Sequence, residues 1–419
     1  MTVINVHKFG GSSLANNTSF FRVSETIIRN HAKGDWVIVS AAGKTTDKLI
    51  EIAQSSTKNR HTAKELLESL KCFQLSMIEV CPELYAAQLR MQLDQDIYLL
   101  NDYIEQADYT PLQQAKWVCF GELWSSRLLA ALLNSRGEQA IAVDARSIIR
   151  AQGMQVDMFN SAIRLEKSGL IQRSGIKIVT GFIAADSNDN TQTLGRNGSD
   201  YSASLFAKLL EAKQVIFWTD VSGVYSADPR VVKSALPFEK LHWSVANILA
   251  QSGNPVLHSK TVATLANTDC EIMIKNSLLP EMRGTKIVKQ EAVYTPFVSR
   301  STGYGLMCAS QLNTVDLDHV AFEFTTEHGK RILIKDEFII LYHNEKIDYQ
   351  LVDFVLIFGC EDKFNDMITC HDIDILHVHK FHNDYRFLLT ENKFSDELYQ
   401  VFHDVMCLEG DKEQFDYAN

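Results

Sequence analysis

The stretch Val6-His-Lys-Phe-Gly-Gly-Ser-Ser-Leu-Ala15 shows the alternation of strand and helix that decides the fold of about the first 290 residues. An apolar strand ends at Lys8, a turn of glycines and serines follows, and a helical pattern begins. Gly10 and Gly11 let backbone N–H groups approach an anion, and the helix N-terminus adds positive potential. Lys8 adds a compact charge suited to a transferring phosphoryl group. For this stretch alone, a plain strand–helix turn with a surface lysine is an equal alternative.

Similar apolar, β-branched runs alternate with helical patterns through about residue 290. The runs are Val3–Phe9, Trp36–Ala42, Ala140–Val143, Ile176–Ala184, Val215–Thr219 and Ile272–Lys275. Near-continuous apolar runs suit strands that are buried on both faces. We therefore predict an α/β domain over residues 1–292, with a mostly parallel sheet sandwiched by helices. Residues 62–107 are predicted to be an inserted helical hairpin that serves packing or a dimer face.

The pattern changes after about residue 300, where shorter strands mix with a helix. We predict an α+β region over residues 303–419 that forms one domain or two small ones. The expected elements are strands at Val320–Phe324, Phe338–Tyr342, Leu351–Phe358, Ile373–Val378 and Tyr385–Leu389, and a helix at Ser395–Met406.

Composition restricts the class of protein. The 419 residues carry 41 Lys+Arg and 52 Asp+Glu, a net charge of −11, which argues against a nucleic-acid partner held by phosphate neutralisation. The 8 cysteines form no C-x-x-C pair, and we interpret them as reduced thiols of a cytoplasmic protein. We expect no signal peptide and no membrane span, because no apolar window is long enough.

A second loop, Ser40-Ala-Ala-Gly-Lys-Thr-Thr46, also follows a strand. It is not a P-loop, because that motif needs a glycine at the position of Ile38. Small residues let a ligand approach, and the hydroxyls of Ser40 and Thr45 are available to it. A simple strand–helix turn is a comparable alternative.

The most informative segment is Leu194-Gly-Arg-Asn-Gly-Ser-Asp-Tyr-Ser-Ala203. Arg196 can hold a carboxylate through two hydrogen bonds. Asp200, in the first helical turn, is stabilised as an anion and could hold Lys8 in place. Capping of the helix by Ser199 and Asp200 is the competing interpretation, but it leaves Gly-Arg-Asn-Gly unexplained.

Two further segments contain candidate residues. Trp218–Arg230 follows a strand and combines Asp, Gly, Tyr and Arg in a way that suits a nucleotide, although an ordered Ω-like loop is the alternative. Gly121-Glu122 follows an apolar run and precedes a helix, so Glu122 could hold an ammonium or simply stabilise the helix start. His377-x-His-x-x-His382 lacks a fixed fourth ligand, and we assign no metal site.

Three of these segments together resemble the signatures of the aspartokinase family. They are Lys8-Phe-Gly-Gly-Ser-Ser, Gly195-Arg-Asn-Gly-Ser-Asp-Tyr-Ser-Ala and Thr219-Asp-Val-Ser-Gly-Val-Tyr-Ser-Ala-Asp-Pro-Arg, in the family's order and spacing over about residues 3–290. The sequence Gly-Arg-Asn-Gly-Ser-Asp is most similar to the aspartokinase part of the methionine-branch bifunctional aspartokinase–homoserine dehydrogenase. We expect no dehydrogenase domain in this chain.

The resemblance implies the amino-acid kinase fold, with L-aspartate and ATP–Mg²⁺ bound at one sheet edge and 4-phospho-L-aspartate as the product. It implies that Lys8 and Asp200 are catalytic. It implies an aspartate site of Arg196 for the α-carboxylate, Glu122 for the α-ammonium, and Ser40, Thr45 and Ser199. It implies a nucleotide site of Gly10, Gly11, Ser13, Thr219, Asp220, Tyr225 and Arg230. The alternatives are a glutamate or acetylglutamate kinase, or a decayed regulatory subunit.

The chain departs from the family in two places. Gly253-Asn-Pro255 stands where the family has Gly-Ala-Lys, so a lysine near ATP is missing, and Lys260 is a weak substitute. The C-terminal region fits the paired ACT domains only loosely. We expect an ACT-like region that forms a homodimer and gives weak or no feedback by lysine or threonine.

Overall fold

The fold was derived from a computed structural model of the 419-residue chain. The structure describes residues 3–30, 34–107, 109–110, 113–153, 155–251, 259–289, 296–308, 310, 320–326, 329–335, 349–358, 367, 375–381, 384–390 and 394–408. The chain divides into two compact units. The first unit comprises residues 1–222 and 263–284, and the second comprises residues 223–262 and 285–419.

The regular elements are numbered here in chain order. The described strands are β1 (Asn5–Phe9), β2 (Trp36–Val39), β3 (Ala140–Val143), β4 (Ala151–Gln152), β5 (Gln155–Val156), β6 (Ile176–Thr180), β7 (Ile183–Ala185), β8 (Thr191–Thr193), β9 (Gln214–Thr219), β10 (Lys240–His242), β11 (Glu271–Asn276), β12 (Thr285–Val288), β13 (Phe297–Cys308), β14 (Val320–Thr326), β15 (Gly329–Lys335), β16 (Tyr349–Phe358), β17 (Ile375–Phe381) and β18 (Asp384–Thr390). The described helices are α1 (Asn17–Asn30), α2 (Thr45–Ser56), α3 (Arg60–Ile78), α4 (Glu83–Gln106), α5 (Gln114–Ser135), α6 (Met158–Ser168), α7 (Gly198–Leu209), α8 (Trp243–Gln251), α9 (Ser259–Leu265) and α10 (Asp396–His403). A π-helical turn, Asp404–Leu408, continues α10.

The first unit contains a parallel sheet with the strand order β11-β9-β1-β2-β6-β3. All residues of β2 and β6 are buried, as their continuous apolar sequences require. The predicted mostly parallel sheet is therefore confirmed. Since the carboxyl ends of parallel strands share one edge, the loops after β1, β2, β6, β9 and β11 leave the sheet on the same side, where ligands of such folds bind.

The predicted strand Ile176–Ala184 is interrupted in the structure. β6 ends at Thr180, and Phe182 has a left-handed φ of 66°. Ile183–Ala185 then pairs antiparallel with Thr191–Thr193 in a separate hairpin. Apolar periodicity could not show this break, because both pieces are buried.

A buried polar chain sets the register of the central strands. The indole Nε1 of Trp218 donates to Nδ1 of His7 at 3.2 Å, and Nε2 of His7 lies 3.3 Å from Oδ2 of Asp35. Because indole only donates, the other ring nitrogen, Nε2, carries the proton and donates to Asp35. These hydrogen bonds link β9 and β1 to Asp35, the residue before β2.

Helices α3 and α4 pack as an antiparallel pair, in the segment 62–107 that the sequence predicts to be a helical hairpin. The turn between them contains Pro82, which precedes the first residue of α4. Asp96 of α4 is 7% exposed and accepts hydrogen bonds from Trp124 and Arg127 of α5, at 2.8 and 2.5 Å. These bonds compensate the burial of the carboxylate and hold the pair against α5.

The second unit contains an antiparallel sheet with the order β14-β15-β13-β16-β18-β17. Its apolar side packs with α10 around Phe387, Phe394 and Phe402. This is the α+β, ACT-like architecture that the sequence predicts. In the same unit, β10 and β12 pair in parallel.

Strand β13 is missing from the sequence-based expectation. Its sequence is interrupted by Ser, Thr and Gly residues, and its pairing with β16 shifts between Ser301 and Tyr304, where Gly303 has a φ of 72°. The helix predicted over Ser395–Met406 is α10 and its π-helical turn. The strand predicted at Phe338–Tyr342 lies outside the described residues.

Within the described part of the chain, no helix combines the length and the apolar character needed to cross a lipid bilayer.

Candidate active site

Lys8 and Asp200 form an ion pair at the carboxyl edge of the parallel sheet. Nζ of Lys8 lies 2.7 Å from Oδ1 of Asp200, and the two side chains are 13% and 19% exposed. Lys8 belongs to β1, and Asp200 lies in the first turn of α7, where the helix dipole favours a carboxylate. The structure thus brings together two residues that are distant in sequence, and it fixes an ammonium beside the glycine turn.

The turn after β1 packs backbone to backbone against the loop after β2. The N–H of Gly43 donates to the carbonyl of Gly11 at 3.0 Å. A Cβ at Gly11 would lie 2.8 Å from the carbonyl oxygen of Ala41, so only glycine fits. Gly10 faces the lysine, since a Cβ there would lie 3.3 Å from Nζ of Lys8.

Glu122 is a buried carboxylate with one unsatisfied oxygen. The side chain is 3% exposed, and Oε1 accepts the N–H of Ala41 at 3.2 Å. Oε2 has no hydrogen-bond partner among the described residues. Burial raises the pKa of Glu122 to about 8, against the opposing effect of the Ala41 hydrogen bond. A cation with N–H donors would satisfy both its charge and its free oxygen.

The expected position of Glu122 at a helix start is wrong. Residues 121 and 122 lie in the middle of α5, Gln114–Ser135, so stabilisation of a helix N-terminus does not explain the glutamate. The apolar run before Gly121 belongs to the same helix.

Gly121 lets α5 approach the loop after β2. A Cβ at this glycine would lie 2.6 Å from Cβ of Ala41 and 3.3 Å from Cγ2 of Thr45. Close contact at this point places the Glu122 carboxylate against the N–H of Ala41.

Replacing Gly121 with alanine is expected to destabilise the protein by about 1–3 kcal/mol through overpacking. Helix propensity alone would give the opposite sign, a gain of about 1 kcal/mol. Chemical denaturation of Gly121→Ala, Ala41→Gly and the double variant tests this. The double variant should recover most of the loss, and a stabilised single variant Gly121→Ala would contradict the close packing.

Thr45 is held by two hydrogen bonds within the protein. Its hydroxyl donates to the carbonyl of Ala42 at 2.7 Å and accepts from Nε2 of Gln74 at 3.2 Å. Sequence reasoning missed Gln74. The available signal was a polar residue on the buried stripe of α3, between Leu70 and Met77. Ser40 is half-buried, and its N–H donates to the carbonyl of Phe9 at 3.1 Å.

The first turn of α7 packs tightly against Gly181, which directly follows β6. A Cβ at Gly181 would lie 2.7 Å from Oγ of Ser199. Asn197, with a left-handed φ of 55°, occupies the N-cap and makes no side-chain capping hydrogen bond. Ser199 is buried inside the helix, so the capping interpretation does not fit it, and Arg196 is exposed in the preceding turn.

The ends of β1, β9 and β11 are tied together. Oγ of Ser13 lies 2.9 Å from Oγ of Ser277, and the N–H of Ser277 donates to the carbonyl of Thr219 at 2.8 Å. The hydroxyl of Thr219 lies 3.1 Å from Oδ1 of Asp220. Sequence reasoning missed Ser277, whose only signal is that it closely follows the apolar strand β11.

Tyr225 and Arg230 belong to the second unit. Tyr225 is half-buried and forms a β-bridge with Pro237. Nε and Nη2 of Arg230 donate to the two oxygens of Asp228 at 3.0 and 2.9 Å. Burial would raise the pKa of Asp228, but the hydrogen bonds and charge of Arg230 outweigh it and hold that pKa below its usual range.

Two sequence-based interpretations concern residues that are only partly described. Gly253, Asn254, Pro255 and His382 lie outside the described residues. Lys260 lies exposed in α9.

Comparison with known proteins identifies the family of the chain. The sequence model of the amino acid kinase family matches residues 4–276. The chain belongs to the amino acid kinase family. The matched range includes Lys8 and Asp200, the glycine turn after β1, and strand β11 up to its last residue, Asn276.

Similar amino acid kinases carry aspartokinase names, which confirms the resemblance. The bifunctional aspartokinase/homoserine dehydrogenase 2 of Escherichia coli (strain K12) is 37% identical over 291 residues, which are 67% of this chain and 35% of that protein. The lysine-sensitive aspartokinase 3 of the same strain is 30% identical over 294 residues, which are 68% of this chain and 64% of that protein. The chain therefore spans about a third of the bifunctional relative's length.

Solved structures show the same fold along the chain. E. coli aspartokinase III in complex with aspartate and ADP has a TM-score of 0.81 at 22% identity, covering 96% of this chain and 99% of that chain. Clostridium acetobutylicum aspartate kinase has a TM-score of 0.71 at 18% identity, covering 96% and 100%.

Proposed function

We propose that this amino acid kinase is an aspartate kinase. It transfers the γ-phosphoryl group of ATP to the side-chain carboxylate of L-aspartate and releases 4-phospho-L-aspartate and ADP. The observation that carries the proposal is the buried Glu122 carboxylate, whose Oε2 has no partner in the described part of the chain and suits the α-ammonium of an amino acid. The aspartokinase names of the relatives and the aspartate and ADP in the E. coli complex support the same substrates.

The reaction needs positioning and charge stabilisation but no covalent intermediate on the protein. An oxygen of the aspartate β-carboxylate attacks the γ-phosphorus, and the bond from that phosphorus to the ADP oxygen breaks. Lys8 neutralises negative charge on the phosphoryl oxygens in transit, and Asp200 holds the Lys8 ammonium in place. The Asp200 carboxylate is the type of oxygen donor that Mg²⁺ prefers and would hold the ion of a bound ATP–Mg²⁺, where the ion would neutralise phosphate charge.

The remaining assignments divide between the two substrates. Arg196 would bind the α-carboxylate of aspartate through its guanidinium. Thr45 would shape the aspartate site by packing, because its hydroxyl is already bonded to Ala42 and Gln74. The other proposed contacts are Ser40 and Ser199 for aspartate, and Gly10, Gly11, Ser13, Thr219, Asp220, Tyr225 and Arg230 for the nucleotide.

A coupled ADP-release assay with aspartate, glutamate and N-acetylglutamate tests the substrate. We expect turnover with aspartate alone, and trapping with hydroxylamine should detect its acyl phosphate. Turnover with glutamate but not aspartate would overturn the proposal. Absence of turnover with all three acids would favour a decayed regulatory subunit.

Aspartate binding is expected to release a proton at pH 7. With a pKa of about 8, Glu122 is mostly protonated there, and an ammonium beside it favours the carboxylate. As the pH rises toward 8, the KM for aspartate should fall, because less work is needed to ionise Glu122.

Calorimetric titration of aspartate into the ADP-saturated protein, in buffers of different ionisation enthalpy, measures this release. Release of most of one proton per site is expected at pH 7, because a group with a pKa of about 8 is mostly protonated there. The matched control Glu122→Gln should release none. Buffer-independent heats for the unaltered protein at pH 7 would contradict the assignment.

We propose a catalytic domain over residues 1–292, with 62–107 inserted, and a region over 303–419 through which two copies form a homodimer in the cytoplasm. Light scattering of the full chain should give twice the 47.4 kDa monomer mass.

A further inference from the structure

Residues 223–238 lie on one face of α10 within the second unit. We call these residues the docked segment. The helix contributes Tyr399, Gln400 and His403, and Asp404 of the following turn completes the face. His403 is 0% exposed, so its ring is enclosed between the helix and the docked segment.

One nitrogen of His403 binds Ser226 of the docked segment. Oγ of Ser226 lies 2.8 Å from Nε2 of His403. The same oxygen accepts the N–H of Leu236 at 2.8 Å. Ser226 therefore has its hydroxyl proton available for the imidazole, and Nε2 accepts it.

The other ring nitrogen of His403, Nδ1, faces hydrogen-bond acceptors. Nδ1 of His403 lies 3.2 Å from Oδ1 of Asp404 and 3.2 Å from Oγ of Ser234. The hydroxyl of Ser234 donates to Asp404 and accepts from Nε2 of Gln400 at 2.6 Å. Nδ1 consequently carries a proton, and a ring with Nδ1–H as donor and Nε2 as acceptor matches the groups on its two sides.

Two further contacts hold the docked segment on the same helix face. The N–H of Asp228 donates to Oη of Tyr399 at 3.0 Å, and that hydroxyl donates to the carbonyl of Val298 at 3.0 Å. The N–H of Lys233 donates to Oε1 of Gln400 at 2.9 Å. Asp228 in turn grips Arg230, so the position of that guanidinium depends on the helix.

We infer that His403 is a positioning residue for the nucleotide. It fixes Ser226 and Ser234, and thereby the conformation of the docked segment that carries Tyr225 and Arg230. The inference rests on the proposed function, in which those two residues contact the nucleotide. Its consequence is that a residue of the ACT-like region sets the affinity for ADP and ATP without touching either.

Two substitutions of His403 separate its two hydrogen bonds. In His403→Asn the amide can replace Nδ1–H toward Asp404, but the acceptor for Ser226 is lost. In His403→Gln the amide oxygen can replace Nε2 as that acceptor. The Kd for ADP, from calorimetry of the full chain, is expected to rise about tenfold in His403→Asn and about two- to threefold in His403→Gln, as expected for loss of one hydrogen bond.

Ser226→Ala provides the matched test from the other side of the contact. It should raise the Kd for ADP at least as much as His403→Asn, because it also removes the acceptor of the Leu236 N–H, and the double variant should be no worse than Ser226→Ala alone. The KM for ATP should follow the Kd, while kcat and the KM for aspartate stay within twofold. A merely structural role would lower Tm or the active fraction and leave the ADP affinity of the folded protein unchanged.

The outcomes separate this inference from the proposed function. If the unaltered protein phosphorylates aspartate and Ser226→Ala binds ADP as tightly as it does, the inference is overturned and the function stands. If the variants weaken ADP binding but aspartate is no substrate, the inference stands and the proposed substrate fails. If the unaltered protein binds no ADP, both fail.

Discussion

Lys8→Ala is expected to lose about 10²–10³-fold in kcat, the usual cost of removing one electrostatic stabiliser of the transition state. In the proposed mechanism the ammonium of Lys8 meets charge that grows on the phosphoryl oxygens during transfer, so its removal should raise the barrier more than it weakens substrate binding. The KM for aspartate should change little. Steady-state kinetics with the coupled assay measure both parameters.

Lys44→Ala is the matched control for that experiment. Lys44 lies exposed in the neighbouring loop, within a Gly-Lys-Thr sequence that superficially resembles a P-loop. We expect its kcat to stay within about threefold of the unaltered protein, as for a surface substitution. A folded Lys8→Ala variant with kcat within tenfold of the unaltered protein would refute the role of Lys8.

Glu122→Gln is expected to raise the KM for aspartate by about 10–100-fold, the range for losing a hydrogen bond to a charged group. The carboxamide can still accept from Ala41, but it cannot pair with an ammonium. The kcat at saturation and the KM for ATP should change little, because the lost contact is the same in the ground and transition states.

Glu122→Gln should also change how the stability of the folded protein depends on pH. The folded pKa of about 8 lies above the ordinary value of 4.5, so between these values the folded state binds a proton that the unfolded state releases. The unaltered protein therefore loses stability as the pH rises through this window, and Glu122→Gln should not. Urea denaturation of both proteins at pH 6 and pH 9 measures the difference. Parallel pH dependence in the two proteins would rule out a buried, mostly neutral Glu122.

The sequence predicted those features that depend on local pattern. Continuous apolar runs ended by small residues identified β1, β2 and β9 and the loops that follow them. The place of Asp200 at a helix start made it a candidate partner for Lys8, and the structure joins the two. A shared sheet edge explains why residues at several strand ends gather there.

The features that escaped prediction depend on contacts between distant residues. Ser13 and Ser277 are joined across most of the first unit, and Gln74 reaches Thr45 from the helical hairpin. His403 meets Ser226 only because α10 folds onto the docked segment. No propensity or periodicity encodes such pairs. Glu122 was found as a residue, but its hydrogen bond from the N–H of Ala41 was not.

The first unit is discontinuous in sequence, with residues 263–284 returning to it after the chain has built part of the second. Strand β9 therefore has a bare edge on a growing polypeptide until β11 leaves the ribosome and pairs with it. The carboxyl edge of the sheet is therefore completed late in synthesis, after most of the strands have been made. A nascent chain stalled before residue 271 would expose that edge to chaperones and to aggregation, whereas one released after residue 284 could bury it.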